Sequence, residues 1–254
     1  MSVLHLAMWS GPRNISTAMM RSWENRGDCA VVDEPLYAHY LEHTGLDHPG
    51  REAVIAAGET DWRRAANELI GPVPGNRAIY YQKHMTHHLL PGVDRSRLAG
   101  LRHAFLIRDP RRLLASYARV RDTPTLADLG LEQQLEIYRL FGGPVIDAAD
   151  LAARPRPMLE GLCAALRIPF EEAMLAWPAG PRPTDGVWAK HWYARVWAST
   201  GFDAGRDERS AADPGRGAGA GAENAAVALP AGLEGLAARC QPFYDELATH
   251  RLRL

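Results

Sequence analysis

The chain has 254 residues and a formal net charge of −1, with 46% hydrophobic and 23% charged residues. These proportions are ordinary for a soluble globular protein, so they exclude a fibrous or wholly disordered chain, and the length allows one large domain. The nearly neutral total provides no overall field for nucleic acid or an acidic membrane, so we expect neither as a partner and any anion site to be local.

The N-terminal segment bears on where the protein resides. Residues 1–12 are the longest segment without Asp, Glu, Lys or Arg, far short of the roughly 20 apolar residues that cross a bilayer. No positive charge precedes this segment, so we do not expect a cleaved signal peptide. The three cysteines, Cys29, Cys163 and Cys240, are widely spaced and odd in number, which is typical of reduced thiols. We therefore expect a cytoplasmic protein.

Strands and helices are predicted to alternate along the chain. Residues 2–8 read as a buried strand, followed by a Gly-Pro turn and by a helix that we expect to end at Gly27. Further strands are predicted at 29–33, 78–82, 103–107 and 144–147, and helices near 60–70, 110–121 and 131–141. This alternation predicts an α/β fold with a mostly parallel central sheet flanked by helices.

The C-terminal part of the chain changes in composition. Residues 203–226 contain no Leu, Ile, Val, Met or aromatic residue and cannot bury a core, so we predict a flexible linker or loop. Apolar residues then recur at helical spacing from Leu229 onward. We expect residues 1–202 to form the α/β domain and the helix within 227–254 to dock on it.

Charge is segregated along the middle of the sequence. Residues 95–121 hold eight arginines against one acid, Asp109, whereas residues 122–150 hold six acids against Arg139. A cationic patch on a neutral chain indicates a phosphate-rich small ligand. A solvated helix face gives the same pattern, so this observation alone leaves both interpretations open.

The first chemical motif is Ser10-Gly-Pro-Arg-Asn-Ile-Ser-Thr17, between the first strand and the first helix. Such a junction presents backbone N–H groups and the positive end of the helix dipole, so it can hold a phosphate. Gly11 would allow a ligand to approach the backbone closely. Arg13 would supply a fixed charge, and the hydroxyls of Ser16 and Thr17 would supply further hydrogen-bond donors. The loop lacks the Gly-Lys of a Walker A motif, which disfavours a magnesium-dependent kinase. A hydroxyl-rich helix cap without a ligand is the alternative.

The second motif begins at the end of the strand predicted at 103–107. Arg108 is followed by Asp109, which suits the N-cap of a helix, and by Pro110, which suits its first position. Ser116 lies eight residues after Arg108, on the arginine-rich face of the same helix. The motif therefore places a hydroxyl beside cationic side chains.

The two motifs together resemble those of the sulfotransferases that use 3′-phosphoadenosine 5′-phosphosulfate. The first is similar to their 5′-phosphosulfate loop in its bacterial form, with Pro-Arg, and the second to their 3′-phosphate pattern Arg-Asp-Pro-Arg-x-x-x-x-Ser-Tyr. Residues 162–170 and 186–192 are similar to later segments of bacterial members. The resemblance implies a P-loop-NTPase-like architecture and assigns the donor to Gly11, Pro12, Arg13, Asn14, Ile15, Ser16, Thr17, Arg108, Ser116 and Lys190.

The implied reaction is in-line sulfuryl transfer to a hydroxyl or amine of a small metabolite, without a metal. Arg13 would neutralise the leaving 5′-phosphate. Glu34 resembles the base that follows the second strand in carbohydrate and some bacterial sulfotransferases. Lys83 and His84 lie in a region similar to the cytosolic enzymes' Lys-Thr-His-Leu-Pro, although their base position here is Met85. Four base candidates stay open: Glu34, His84, His87 and His88.

Other interpretations remain at this point. His39, His43 and the 84/87/88 histidines allow a zinc site, although no HExxH accompanies them. A nucleotide-binding protein of this fold without transfer activity is the main alternative, because Ala18 stands where cytosolic members have a stacking tryptophan; a P-loop kinase is less favoured. Aromatic residues that could line an acceptor pocket are Tyr37, Tyr40, Trp62, Trp188, Trp192 and Trp197.

Overall fold

The computed structural model describes residues 3–119, 124–202 and 228–253, so the predicted linker at 203–226 lies outside the described residues. Its centre is a five-stranded sheet, parallel in every pairing, in the order β2-β3-β1-β4-β5. The strands are β1 (Leu4–Ser10), β2 (Cys29–Asp33), β3 (Ile79–Met85), β4 (Arg102–Ile107) and β5 (Val145–Asp147). The predicted α/β class and parallel sheet are confirmed.

Helices and short turns connect the strands. The helices are α1 (Ser16–Glu24), α2 (Tyr37–Thr44), α3 (Arg51–Ala57), α4 (Trp62–Leu69), α5 (Pro110–Tyr117), α6 (Leu126–Leu129), α7 (Leu131–Phe141), α8 (Ala148–Ala153), α9 (Pro155–Leu166), α10 (Ala189–Trp192), α11 (Ala194–Trp197) and α12 (Glu234–Thr249). Single 3₁₀ turns lie at Pro74–Asn76, Thr86–His88, Arg95–Leu98 and Glu172–Leu175. Within the described ranges, no helix is both long and apolar enough to cross a bilayer.

The strand register brings the carboxyl ends of the strands to the same level of the sheet. Ser10 pairs with Met85 of β3 and Leu106 of β4, and Asp33 pairs with Lys83. The carboxyl ends of β1 to β4 therefore meet at one edge. The chain passes to the β3–β2 side of β1 and later to its β4–β5 side, and ligands of open parallel sheets bind at such a switch point.

Both faces of the sheet are buried, as a parallel sheet requires. Alternate residues of β1 point to opposite faces: Leu6 and Met8 belong to one core with α1 and α9, and Ala7 and Trp9 to another with α4 and α7. Leu247 of α12 lies in that second core. The C-terminal helix thus packs against the sheet.

Several predicted boundaries differ from the structure, among them the end of β1, which lies at Ser10 instead of residue 8. Helix α1 ends at Glu24 with Asn25 as its C-cap, so the expectation for Gly27 is wrong. Helix α5 ends at Tyr117, short of the predicted 121. Strand β3 extends three residues beyond 82 because its polar residues find buried partners, described below. Hydropathy alone ends the strand too early where polar side chains are paired in the interior.

Gly130, between α6 and α7, offers a stability prediction. Its φ is +65°, and a Cβ there would lie 2.8 Å from the backbone nitrogen of His87 and still closer to the Thr86 hydroxyl. Gly45, which follows α2, has φ +66° in the same left-handed region, with nothing within 4 Å of such a Cβ. We expect Gly45→Ala to lower the free energy of unfolding by about 1 kcal/mol through backbone strain, and Gly130→Ala by about 2–4 kcal/mol because overpacking is added. Equal losses in urea denaturation would contradict this account.

Candidate active site

A cleft of about 870 Å³ opens at the carboxyl ends of the strands, a size typical of small-molecule sites. Its walls are the loop after β1, the ends of β2 and β3, Arg108 and the last turn of α5, and the segment that holds α10 and α11. Residues 12–17 of the first motif and Arg108 and Ser116 of the second all line it. The structure thus brings the two predicted phosphate motifs to one cavity.

The loop after β1 has an unusual backbone. Arg13 and Ile15 adopt left-handed φ values of 56° and 40°, whereas Asn14 between them does not. A positive φ at a β-branched residue is strained and persists only where the surroundings enforce it. Alternation of this kind turns successive N–H groups into one concavity that binds anions, and the first N–H groups of α1 follow directly. The loop therefore presents a concave group of backbone N–H donors that can hold an anion.

Two loop residues act differently from the sequence-based expectation. The Asn14 side chain donates a hydrogen bond of 2.5 Å to the Leu106 carbonyl and is buried, so it anchors the strained loop to β4. Gly11 does not line the cleft, and a Cβ on it would lie 2.7 Å from the Leu129 carbonyl oxygen. Glycine is therefore required there for close packing against α6, and its predicted contact with the donor stays a prediction.

The two motifs are in direct contact. Arg13 Nε donates to Ser116 Oγ at 3.2 Å, and the Arg108 guanidinium donates to the Arg13 carbonyl oxygen. The carboxylate of Asp109 accepts from the Arg112 backbone nitrogen at 3.0 Å, which confirms the predicted N-cap of α5. Two arginines and a serine hydroxyl therefore form one polar, cationic wall beside the loop.

A buried ion cluster faces this wall from the ends of β2 and β3. Lys83 Nζ donates to Asp33 at 2.8 Å, to Glu34 Oε1 at 2.5 Å and to the Tyr193 hydroxyl at 2.9 Å. The Tyr193 hydroxyl in turn donates to Asp33 Oδ2 at 2.6 Å. The Lys83 side chain is only 1% exposed. Its three ammonium protons are thus fully committed to this cluster.

The charges of the cluster follow from burial and mutual attraction. Burial lowers the pKa of Lys83, but the attraction of Asp33 and Glu34 outweighs it and leaves that pKa well above its usual value. Burial raises the pKa of Glu34, against the attraction of Lys83. Lys83 therefore stays an ammonium and cannot act as a base, whereas Glu34 becomes a stronger proton acceptor than an exposed carboxylate.

A family model described as the sulfotransferase domain matches residues 4–213. The chain belongs to the sulfotransferase family. Two solved sulfotransferase domains share its fold: that of the Synechococcus PCC 7002 olefin synthase, with a TM-score of 0.57 and 17% identity over 100% of this chain and 97% of that one, and that of the curacin biosynthetic pathway, with 0.53 and 17% over 100% and 99%. The predicted family and architecture are confirmed.

Two Arabidopsis thaliana proteins are similar in sequence. Branched-chain-amino-acid aminotransferase-like protein 1 is 41% identical over 199 residues, 76% of this chain and 36% of that protein. Protein 2 is 37% identical over 207 residues, 80% of this chain and 36% of that protein. The chain thus spans about a third of the length of each plant relative.

Two predicted site residues do not reach the cleft of the sulfotransferase. His84 points to the opposite face of β3 from Lys83, where its ring stacks on Trp9 at 4.3 Å and burial lowers its pKa to about 3. Strand alternation explains this position, because neighbouring residues cannot share a face. Lys190 is exposed on α10 and does not line the cavity, whereas Arg195 of α11 does.

The predicted aromatic pocket is formed only in part. Three of its residues line the cleft, namely Tyr37, Trp188 and Trp192. Of the others, Tyr40 packs against the ring of His88, Trp62 is the first residue of α4 and lies in the core, and Trp197 Nε1 donates to Asp185. The sequence therefore predicted that aromatic rings line the cleft, but not which of them do.

Sequence reasoning does not single out Tyr193 or Arg195, and it assigns Asp33 no role. The sequence does contain a signal that could have identified Asp33, because this residue is adjacent to Glu34, which is already a candidate for the base. Tyr193 carries no such signal, since its partners lie 110 and 160 positions away in the chain.

Among residues 3–119, 124–202 and 228–253, no group of three or more His, Cys, Asp or Glu residues is arranged to hold a metal ion.

Proposed function

We propose that this sulfotransferase moves a sulfuryl group from 3′-phosphoadenosine 5′-phosphosulfate to a hydroxyl or amine of a small metabolite. The observation that carries the proposal is the contact of the strained anion-binding loop with the Arg108–Ser116 pair inside one cleft. Two adjacent anion-binding places fit a nucleotide with phosphate groups on both its 5′ and 3′ positions. The donor supplies a sulfuryl group attached to a phosphate leaving group.

The chain's own residues would bind that donor in two places. Backbone N–H groups of residues 13–17 and the guanidinium of Arg13 hold the 5′ end, where negative charge grows as the sulfuryl group departs. Arg108 and Ser116 hold the 3′-phosphate through charge-assisted hydrogen bonds. Arg195, from the opposite wall, adds a cation in the role that the sequence assigned to Lys190.

Glu34 would take the acceptor's proton. Lys83 holds Glu34 Oε1, so the carboxylate presents Oε2, and burial moves its pKa toward the working range of a general base. Asp33 and Tyr193 hold Lys83 in turn. Asp33 and Tyr193 therefore hold Lys83 in place, and Lys83 holds the Glu34 carboxylate that would take the proton.

Ligand-induced stabilisation tests the donor assignment. At about 100 times its dissociation constant, adenosine 3′,5′-bisphosphate should raise the free energy of unfolding by about 2.7 kcal/mol. ATP with magnesium should give a much smaller increase, because it carries no 3′-phosphate for Arg108. Thermal unfolding with each nucleotide at equal concentration measures the difference. Equal shifts would refute a 3′-phosphate site.

Variants of the second motif test the same subsite from the protein side. Arg108→Ala should weaken bisphosphate binding about 10- to 100-fold, since a hydrogen bond to a charged group contributes about 1.5–3 kcal/mol. Ser116→Ala should act in the same direction by only a few fold. Arg102→Ala, at the exposed opposite end of β4, is the matched control and should bind as the parent does. Titration calorimetry decides, and unchanged binding by both site variants would make the motif structural.

A further inference from the structure

The cleft wall that holds α10 and α11 consists of short elements. Each of these helices is a single turn of four residues, and a helix this short is not stable without tertiary contacts. Contacts with the rest of the molecule must therefore fix its orientation. The hydrogen bond from Tyr193 to Asp33 holds the junction between the two helices. A second contact holds the far end of α11.

This second contact is made by the carboxylate of Asp185, whose side chain is only 5% exposed. Its Oδ1 atom accepts from the guanidinium of Arg21 on α1. Its Oδ2 atom accepts from the Arg182 backbone nitrogen and from Trp197 Nε1, both at 2.9 Å. Asp185 thus connects the last residue of α11 to α1, which packs against the sheet.

Arg21 is itself held in place on α1. Its side chain is 1% exposed, and its second terminal nitrogen donates to Glu24 at 3.1 Å. Glu24 in turn accepts from the hydroxyl of Thr184, the residue before Asp185. Removing one partner of a buried ion pair leaves a buried charge uncompensated, so such pairs resist displacement. Helix α1 therefore provides a rigid attachment for the carboxylate of Asp185.

Trp197 and Arg195 lie on different faces of α11. Residues two apart in an α-helix are separated by about 200° around its axis, so they point in nearly opposite directions. Arg195 lines the cleft, whereas Trp197 does not. The bond from the Trp197 indole to Asp185 therefore fixes the rotation of α11 at which Arg195 faces the cleft.

We propose that Asp185 is a positioning residue for the sulfuryl donor, and that it acts through Trp197 on Arg195. The inference rests on the proposed function, in which Arg195 contributes a cation to the donor site. Asp185 does not line the cleft, so its effect on the donor is indirect. Loss of its contact with Trp197 should weaken donor binding because Arg195 is no longer held toward the phosphates.

A double-mutant cycle on the affinity for adenosine 3′,5′-bisphosphate tests this coupling. Trp197→Phe retains an aromatic ring but removes the N–H that Asp185 accepts, and it should weaken binding severalfold. Arg195→Ala should weaken binding about tenfold, as expected for a hydrogen bond to a charged group. Adding Trp197→Phe to Arg195→Ala should cause no further loss in titration calorimetry. Losses that multiply in the double variant would show a general structural effect and overturn the proposal.

Trp177→Phe is the matched control for the loss of an indole hydrogen bond. Its Nε1 donates to Ser199 Oγ at 3.1 Å, so this variant leaves the bond between Trp197 and Asp185 intact. It should bind the bisphosphate as the parent does. Equal weakening by Trp177→Phe and Trp197→Phe would contradict a specific role of Asp185.

Nitrogen-15 relaxation of the free protein tests the attachment of α11 without any donor. Backbone order parameters of residues 194–197 should be about 0.85, the value of rigid backbone, in the parent and in Trp177→Phe. They should fall in Trp197→Phe and in Asp185→Asn, and unchanged values in both would overturn the proposal. Failure of the bisphosphate to bind the parent would refute the proposed function and the donor-positioning role with it, whereas the order parameters would still decide whether Asp185 holds α11.

Discussion

Replacing Glu34 with glutamine is expected to lower kcat for sulfuryl transfer by about 10²–10⁴-fold, the usual contribution of a general base. The amide retains the shape of the side chain but accepts no proton, and Lys83 keeps its contact with Asp33. Bisphosphate binding should be unchanged, because Glu34 lies on the acceptor side. Single-turnover kinetics at saturating donor measures the effect on the chemical step.

The pH dependence and a matched variant complete this test. The rate of the parent should rise with pH as the buried Glu34 ionises, and this limb should be absent in Glu34→Gln. Glu68→Gln, an exposed carboxylate on α4, should retain parent kcat. A loss of less than about tenfold in Glu34→Gln would exclude Glu34 as the base, and His88 would then be the next candidate.

Lys83→Met should be the most destabilising single change in the site. It removes the cation from two buried carboxylates, Asp33 and Glu34, and loss of one partner of a buried ion pair costs about 3–5 kcal/mol. Methionine fills a similar volume, so little of the loss reflects a cavity. Urea denaturation measures the change in the free energy of unfolding. Lys190→Met, which replaces the chain's other lysine, is exposed and should change stability by less than about 0.5 kcal/mol.

The destabilisation by Lys83→Met should depend on pH with a defined sign. Without the ammonium, burial is no longer opposed by Lys83 and raises the pKa of the Glu34 carboxylate in the folded state further above its unfolded value. The folded variant then binds more protons than the unfolded chain, so its stability falls as pH rises. The difference from the parent should be smaller at pH 5 than at pH 8. A difference independent of pH would show that the carboxylates do not depend on Lys83.

The sheet and the placement of the two motifs beside the cleft could be predicted because their signals are local. Buried strands such as β1 and β4 read as short apolar runs, and each phosphate motif follows its strand within a few residues. Asp109 and Pro110 mark the start of α5 in the sequence itself. These features depend on neighbouring residues, so tertiary structure refines their boundaries without changing their type.

The buried ion cluster at the ends of β2 and β3 could be predicted only in part because it depends on distant contacts. Whether Lys83 or His84 faces the cleft is decided by the register of β3, which hydropathy does not give when both side chains are polar. Tyr193 joins Lys83 from a segment with no local signal. The left-handed backbone at Ile15 is likewise invisible in the sequence, since it is imposed by the packing of the loop.

Transfer of radioactive sulfur tests the central claim most directly. The protein is incubated with ³⁵S-labelled 3′-phosphoadenosine 5′-phosphosulfate and a panel of benzyl alcohol, 4-methylphenol and benzylamine, and the products are separated. The proposed function predicts label in an acceptor, one equivalent of bisphosphate released per product, and loss of both in Glu34→Gln. A protein that binds the bisphosphate yet leaves the label on the donor with the whole panel would contradict it, and would instead be a nucleotide-binding member of the fold without transfer activity.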